Sequence, residues 1–198
     1  MRIVLASGNA GKLAELEQLL ADTGLELVAQ TALGVDDADE TGLTFVENAL
    51  IKARHAARAT GLPSLADDSG ICVDALDGAP GLYAARYAGT HGDNAANRAK
   101  LLRELDGVAA ERRRAHFIAV LVLLRHAEDP APLIAEARWH GRILESERGT
   151  GGFGYDPLFL PDGFDMSAAE LDPALKNRLS HRGQALAMLR ARLADLGT

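Results

Sequence analysis

The feature that most constrains this chain lies near its middle. Ala115-His116-Phe117-Ile118-Ala119-Val120-Leu121-Val122-Leu123-Leu124 is apolar at nearly every position. A half-exposed strand alternates apolar and polar residues, because successive side chains point to opposite faces. A run without that alternation reads as a central strand buried on both faces. Such a strand needs neighbours in its sheet and cover on each side. Strand-like runs that can supply the neighbours are Arg2 to Ala6, Leu25 to Ala29 and Leu133 to Leu144, the last with Trp139 partly buried. Helical spacing that can supply the cover recurs at Leu13, Leu16, Leu19 and Leu20, with Gly24 as a stop. It recurs from Thr44 to about Ala59, before Gly61 and Pro63. Asn94 to Leu105 follows, with Ala95, Ala99, Leu102 and Leu105 as its apolar side. Leu186, Leu189 and Leu193 mark a terminal helix. Strands and helices are mixed throughout, which predicts an α/β fold.

The 198 residues suit one large domain or two lobes around one cleft. Lys plus Arg total 21 against 28 Asp plus Glu, a net charge of -7, which argues against general nucleic-acid binding. It leaves open a small anionic ligand held by a few local cations and a metal ion. Cys72 is the only cysteine, so no intrachain disulfide can form, and its apolar neighbours make it a core residue. The chain starts directly in a strand-like run with no cationic leader, and no apolar stretch reaches the ~18–20 residues of a membrane helix. The expectation is a cytoplasmic protein that does not contact a membrane.

The chemistry concentrates in five stretches. Leu65-Ala66-Asp67-Asp68-Ser69-Gly70-Ile71-Cys72-Val73-Asp74-Ala75-Leu76 reads as a strand, a tight turn at Asp67 to Ser69, and a second extended segment. Adjacent side chains on an extended backbone face opposite ways, so Asp67 and Asp68 are expected to do different jobs. Which of them does which stays open. Ser7-Gly8-Asn9-Ala10-Gly11-Lys12 joins a strand to a helix start, where unpaired backbone N–H groups beside a lysine form a phosphate site. It is not a Walker A loop, because Leu13 sits where Ser or Thr would hold magnesium. The alternative is an ordinary strand–helix connection.

Asp36, Asp37, Asp39 and Glu40 lie in an acidic connection, followed by a capping box at Thr44 to Glu47 in which Glu47 is the cap partner. Lys52 lies about one turn beyond Asn48 on the same helix. Asp77 to Gly89 is a long Gly- and Pro-containing loop. Gly149 to Phe159 holds four glycines in six residues with Phe153 and Tyr155 embedded, a frame in which an exposed aromatic can stack a flat base. The alternative there is a hairpin whose aromatics point inward. Ser167 to Glu170 is a second capping-box pattern, and Asp172-Pro173 is a helix-start signal. Lys176, His181 and Arg182 bring three cations to the start of the terminal helix, where an anion is favoured.

Taken together, SGNAGK (Ser7 to Lys12), ETGLTFVENALIKA (Glu40 to Ala53), ADDSG (Ala66 to Gly70), GTGGFGYDPLF (Gly149 to Phe159) and SHR (Ser180 to Arg182), with Lys176 upstream, span nearly the whole chain. In order and spacing they resemble the house-cleaning nucleoside triphosphate pyrophosphatases that act on inosine and xanthosine triphosphates. Ser7 stands where that family often has Thr, and either hydroxyl can donate to a phosphate.

The resemblance implies one domain over residues 1–198, with an elongated mixed sheet flanked by helices and two lobes around a central cleft. It implies a homodimer that needs magnesium and converts a nucleoside triphosphate and water to the monophosphate and pyrophosphate. Carried over by motif, Ser7, Gly8, Asn9, Ala10, Gly11 and Lys12 hold the phosphates. Glu40 and Asp68 hold the metal, Asp68 is also the base that activates water, and Ser69 contacts substrate. Phe153, Gly154, Tyr155 and Asp156 frame the base, and Lys176, His181 and Arg182 complete the nucleotide site.

Elementary chemistry agrees with that assignment. Magnesium takes oxygen ligands, usually one or two carboxylates with phosphate oxygens and water. Lys12, Lys52 and Lys176 can offset the remaining phosphate charge. Stacking cannot tell purines apart, so preference for a 6-oxo base must come from donors at the ring edge: His181, Arg182 or a backbone N–H of the glycine loop. Two rivals are a phosphotransferase using the first loop, which the missing Ser or Thr after Lys12 disfavours, and a nucleotide sensor without turnover, for which the many carboxylates have no use.

Overall fold

The computed structural model describes residues 2–8, 10–20 and 24–193. Among these described residues, six strands form one sheet in the order β2-β1-β3-β4-β5-β6. They are β1 (Arg2–Leu5), β2 (Glu26–Ala29), β3 (Ser64–Val73), β4 (Arg114–Leu124), β5 (Leu133–Ile143) and β6 (Phe159–Pro161). The sheet is mixed: β1 runs parallel to β2 and to β3, and β5 runs antiparallel to β6. The apolar run that predicted a central strand is β4, flanked by β3 and β5 and buried at every position from Phe117 onward. Among the described residues, five α-helices accompany the sheet: α1 (Ala10–Leu20), α2 (Phe45–Thr60), α3 (Asn94–Glu104), α4 (Pro173–Leu179) and α5 (His181–Leu193).

The chain divides into two compact units. The first comprises the residues up to Asp68, Ala119–Ala137 and those from Arg182 on. Here the alternation of the strands sorts side chains into a core on each face. Ile3, Leu5, Leu65, Leu121 and Leu123 pack with Leu16 and Leu20 of α1 and with Leu186 and Leu189 of α5. Val4, Ala6, Ala66, Val120, Val122 and Leu124 pack with Ala49, Ala53 and Ala56 of α2. The alanine stripe lets α2 lie close to the strands, and Ser64 Oγ donates to Ala53 O at 2.8 Å. Each fully buried Leu, Ile or Val contributes roughly 1.5–3 kcal/mol.

The second unit comprises Ser69–Ile118 and Arg138–His181. Its core joins Ile71, Val73, Phe117, Trp139, Ile143 and Phe159 to Leu101 and Leu105. Phe117 meets Phe159 edge-on at 4.7 Å, and Trp139 meets Phe159 at 5.3 Å.

Several local expectations are corrected. Asp67 to Ser69 do not form a turn: they lie inside the ten-residue β3, which continues to Val73. The Asp-Ser-Gly composition is turn-like, but the sheet imposes extended backbone on both sides of it. The loop after β1 is shorter than expected, because α1 begins at Ala10 and takes Gly11 and Lys12 into its first turn. Ala95 and Ala99 are exposed. The buried side of α3 is Asn97 and Leu101, with Leu105 just past its end, since Asn97 accepts from Ala88 N at 2.7 Å and donates to Ala85 O. Ser167 to Glu170 makes the reciprocal turn without a helix, Ser167 N donating to Glu170 at 2.7 Å. Trp139 is buried rather than partly so, and β5 alternates cleanly, with Arg138, His140 and Arg142 outward.

Candidate active site

β3 sets the site. Leu65 belongs to the core under α1 and α5, and Ala66 to the core under α2. Continuing that alternation, Asp67 faces the α1 and α5 side and Asp68 the α2 side. Each carboxylate accordingly meets cations from a different helix.

Asp67 is buried, its side chain fully so. Lys12, in the first turn of α1, brings Nζ to 2.6 Å from Asp67 Oδ1. Arg182, in the first turn of α5, donates from Nε to Asp67 Oδ2 at 2.9 Å, and its Nη1 pairs with Glu15, one turn beyond Lys12. Burial alone would raise the Asp67 pKa. Arg182 and then Lys12 outweigh it and hold the carboxyl well below the usual carboxylate range. Arg182 is raised in turn, since Asp67 and Glu15 outweigh the burial that opposes its charge. Lys12 shifts down, because burial costs its ammonium more than Asp67 returns.

Asp68 lies on the other side. Lys52, on the inward side of α2, donates from Nζ to Asp68 Oδ1 at 2.6 Å and to the Asp67 carbonyl at 2.9 Å, with Glu40 Oε1 at 3.1 Å. The helix that carries Lys52 is fixed at its start by Thr44, whose Oγ1 accepts from Glu47 N, and by Glu47, which accepts from Leu43 N at 2.9 Å. Glu47 is thus the cap partner, as the capping box predicts. Burial raises the Asp68 pKa more than Lys52 lowers it; burial also pulls Lys52 down, but Asp68 and then Glu40 outweigh it and raise Lys52 above the usual lysine range.

Two carboxylate oxygens, from Glu40 and Asp68, therefore converge on one cationic centre. Among the described residues no set of three or more His, Cys, Asp or Glu side chains is arranged around an ion. Two hard oxygen donors fit magnesium, which leaves its remaining positions to phosphate and water, and do not fit a closed zinc site.

The second unit holds the other sequence-predicted group. Asp156 accepts from Phe153 N and from Lys176 Nζ, both at 2.8 Å. Lys176 Nζ lies 5.4 Å from the centre of the Phe153 ring. The two aromatics of the glycine loop part company: Phe153 is 39% exposed, whereas Tyr155 is buried and donates its hydroxyl to Ala84 O at 2.8 Å. Gly152 has φ +68, and a Cβ there would overlap the Asp156 carboxylate, so glycine is required. His181 stacks on Phe117 at 4.8 Å with the rings 8° from parallel.

The structure thus gathers Lys12 and Arg182 around Asp67, gathers Glu40 and Asp68 around Lys52, and gathers Phe153, Asp156 and Lys176 with one another. Ser7 and Gly8 precede α1, Ala10 and Gly11 open it, and Ser69 follows Asp68 in β3. Asn9 lies outside the described residues. Arg182 differs from expectation in being fully buried between two carboxylates. Glu15 was missed, and its only signal was the three-residue helical spacing from Lys12.

The fold class is α/β, a mixed sheet whose strand–loop–helix junction sets a lysine beside paired carboxylates. The chain belongs to the Ham1 family, whose model matches residues 3–192. It is 66% identical over 194 residues to a protein of Xanthomonas campestris pv. campestris (strain 8004) named dITP/XTP pyrophosphatase, covering 98% of each. It is similar to a solved HAM1 protein from Coxiella burnetii, with a TM-score of 0.91 and 49% identity over 98% of this chain and 99% of that one. It is also similar to the Staphylococcus aureus Ham1 protein, with a TM-score of 0.86 and 36% identity over 99% and 100%.

Proposed function

We propose that this chain is a magnesium-dependent nucleoside triphosphate pyrophosphatase that acts on non-standard purine nucleotides, ITP, dITP and XTP. It takes one water and yields the monophosphate and pyrophosphate. The observation that carries this reading is the split of Asp67 and Asp68 across β3. Asp67 is neutralised by Lys12 and Arg182, so it serves the scaffold. Asp68, beside Glu40 and Lys52, is the carboxylate left for chemistry. The name of the Xanthomonas relative supports the substrate class.

In this reading the start of α1, where a helix dipole favours an anion, and Lys12 receive the polyphosphate. Lys52 neutralises charge beside Asp68, and Asp68 accepts the proton of the attacking water. Glu40 and Asp68 would hold magnesium, which when bound screens phosphate charge and acidifies a bound water. Phe153 stacks the base. Lys176, anchored by Asp156, is the cationic donor over that ring. A 6-oxo purine offers an acceptor to such donors and adenine offers an amino group, which leaves a donor unmet. The protein acts as a homodimer, which light scattering would report as twice the chain mass.

The test is kcat/KM for ITP, XTP, GTP and ATP on one preparation. One unmet buried donor costs ~1–3 kcal/mol, so ITP should exceed ATP by roughly ten- to a hundred-fold. Equal values for ITP and ATP would overturn the account of base recognition. Absence of pyrophosphate release from every triphosphate would overturn the enzyme.

A further inference from the structure

Phe153 sits on a loop that its own residues do not hold alone. Its neighbour Gly154 adopts φ +61, a left-handed conformation that favours glycine. Arg98, on α3, donates from Nη1 to that carbonyl at 2.9 Å and from Nε to Glu147 Oε1 at 2.9 Å. Its side chain is 17% exposed, so the bond to Gly154 is largely shielded from water. The preceding residue on α3, Asn97, ties down Ala85 and Ala88, and the adjacent Ala84 receives the Tyr155 hydroxyl. One helix thus grips the loop from Gly152 to Asp156 directly at Gly154 and indirectly at Tyr155, just beyond the peptide that follows Phe153.

We infer that Arg98 is a positioning residue for base recognition: it touches no substrate and acts by fixing the Gly154 carbonyl, and with it the exposed Phe153 ring. The inference rests on the assignment of Phe153 as the stacking platform. Arg98 was not among the residues that the sequence singled out, since a lone arginine on an exposed helix carries no signal. The Glu147 ion pair is half exposed and contributes little by itself. The charge-assisted bond to a carbonyl is the stronger contact.

The experiment compares Arg98→Ala, Phe153→Leu and the double variant with the unaltered protein. It measures KM and kcat for ITP, and Ki for inorganic tripolyphosphate, a probe that carries the phosphates without a base. Loss of a hydrogen bond to a charged group predicts a KM for ITP about ten-fold higher in Arg98→Ala. kcat should stay within about threefold and the tripolyphosphate Ki should not move, the pattern of lost uniform binding. In the Phe153→Leu background the Arg98→Ala change should add nothing, because its effect runs through the ring.

An unchanged KM in folded Arg98→Ala overturns the inference. So does an equal loss of tripolyphosphate binding, which marks a general structural effect, or a full additional rise in the double variant. Should Arg98→Ala fail to fold, Arg98→Lys carries the same comparison, since it keeps the charge but cannot span Glu147 and Gly154 together. If Phe153→Leu alone leaves KM unchanged, the platform assignment itself fails and the inference falls with it. That outcome is distinct from a Phe153 effect without an Arg98 effect.

Discussion

Asp67→Asn and Asp68→Asn, one residue apart, should have opposite consequences. An asparagine side chain at position 67 keeps the volume of Asp67 but loses its charge and turns one acceptor oxygen into a donor. Lys12 Nζ at 2.6 Å and Arg182 Nε at 2.9 Å then face a neutral amide in a buried setting. Removing one partner of a buried pair costs ~3–5 kcal/mol, and Glu15 remains on Arg182, which sets the expectation at the low end, ~3 kcal/mol. Asp68 is different, because burial raises its pKa despite Lys52. Lys52 keeps Glu40 at 3.1 Å when Asp68 loses its charge, so Asp68→Asn should change stability by less than ~1 kcal/mol while kcat falls by at least ~10²-fold.

Urea unfolding followed by circular dichroism, alongside pyrophosphate release, reads both. The pH dependence gives a second check. Because the folded Asp67 pKa is depressed, its stabilisation is complete above the unfolded value of ~3.9 and is lost as pH falls through the folded value. The gap between the unaltered protein and Asp67→Asn should therefore hold from neutrality down to about pH 5 and narrow below about pH 4. An Asp67→Asn protein as stable as the unaltered one at pH 7, or a folded Asp68→Asn protein with near-normal turnover, would refute the reasoning.

Activity should require added magnesium, and Glu40→Gln should raise the concentration needed for half-maximal rate, because one of two converging carboxylates is gone; full rate after exhaustive chelation would contradict this. Gly152→Ala forces a side chain into the Asp156 carboxylate at φ +68 and should cost ~1–3 kcal/mol of stability with weaker ITP binding, read by thermal unfolding and KM. An unaffected Gly152→Ala protein would show that the loop relaxes without consequence.

What was legible in the sequence followed from period. The unbroken apolar run located β4 and its central place, because only a strand covered on both faces tolerates it. The alternation rule also foretold that Asp67 and Asp68 would part, and they do, towards α1 and α5 on one side and α2 on the other. The rule could not say which carboxylate meets which cations, because Lys12 and Arg182 arrive from helices 55 and 115 residues away and Lys52 from the helix just before the strand. Composition misled at Asp67 to Ser69, where turn-favouring residues sit in mid-strand under the pull of the sheet. Apolar identity misled on α3, whose buried side is led by Asn97 satisfying a loop backbone, while Ala95 and Ala99 face solvent. The burial of Arg182 was illegible for the same reason as Glu15: both depend on a long-range ion pair that leaves no local pattern.

The central claim is that the bond between the α and β phosphates is the one cut. Phosphorus-31 NMR of ITP turnover, sampled from the first few per cent of reaction, tests it most directly. The account predicts IMP and pyrophosphate as the initial products in equal amounts, with no IDP. IDP and orthophosphate as the first products would contradict it.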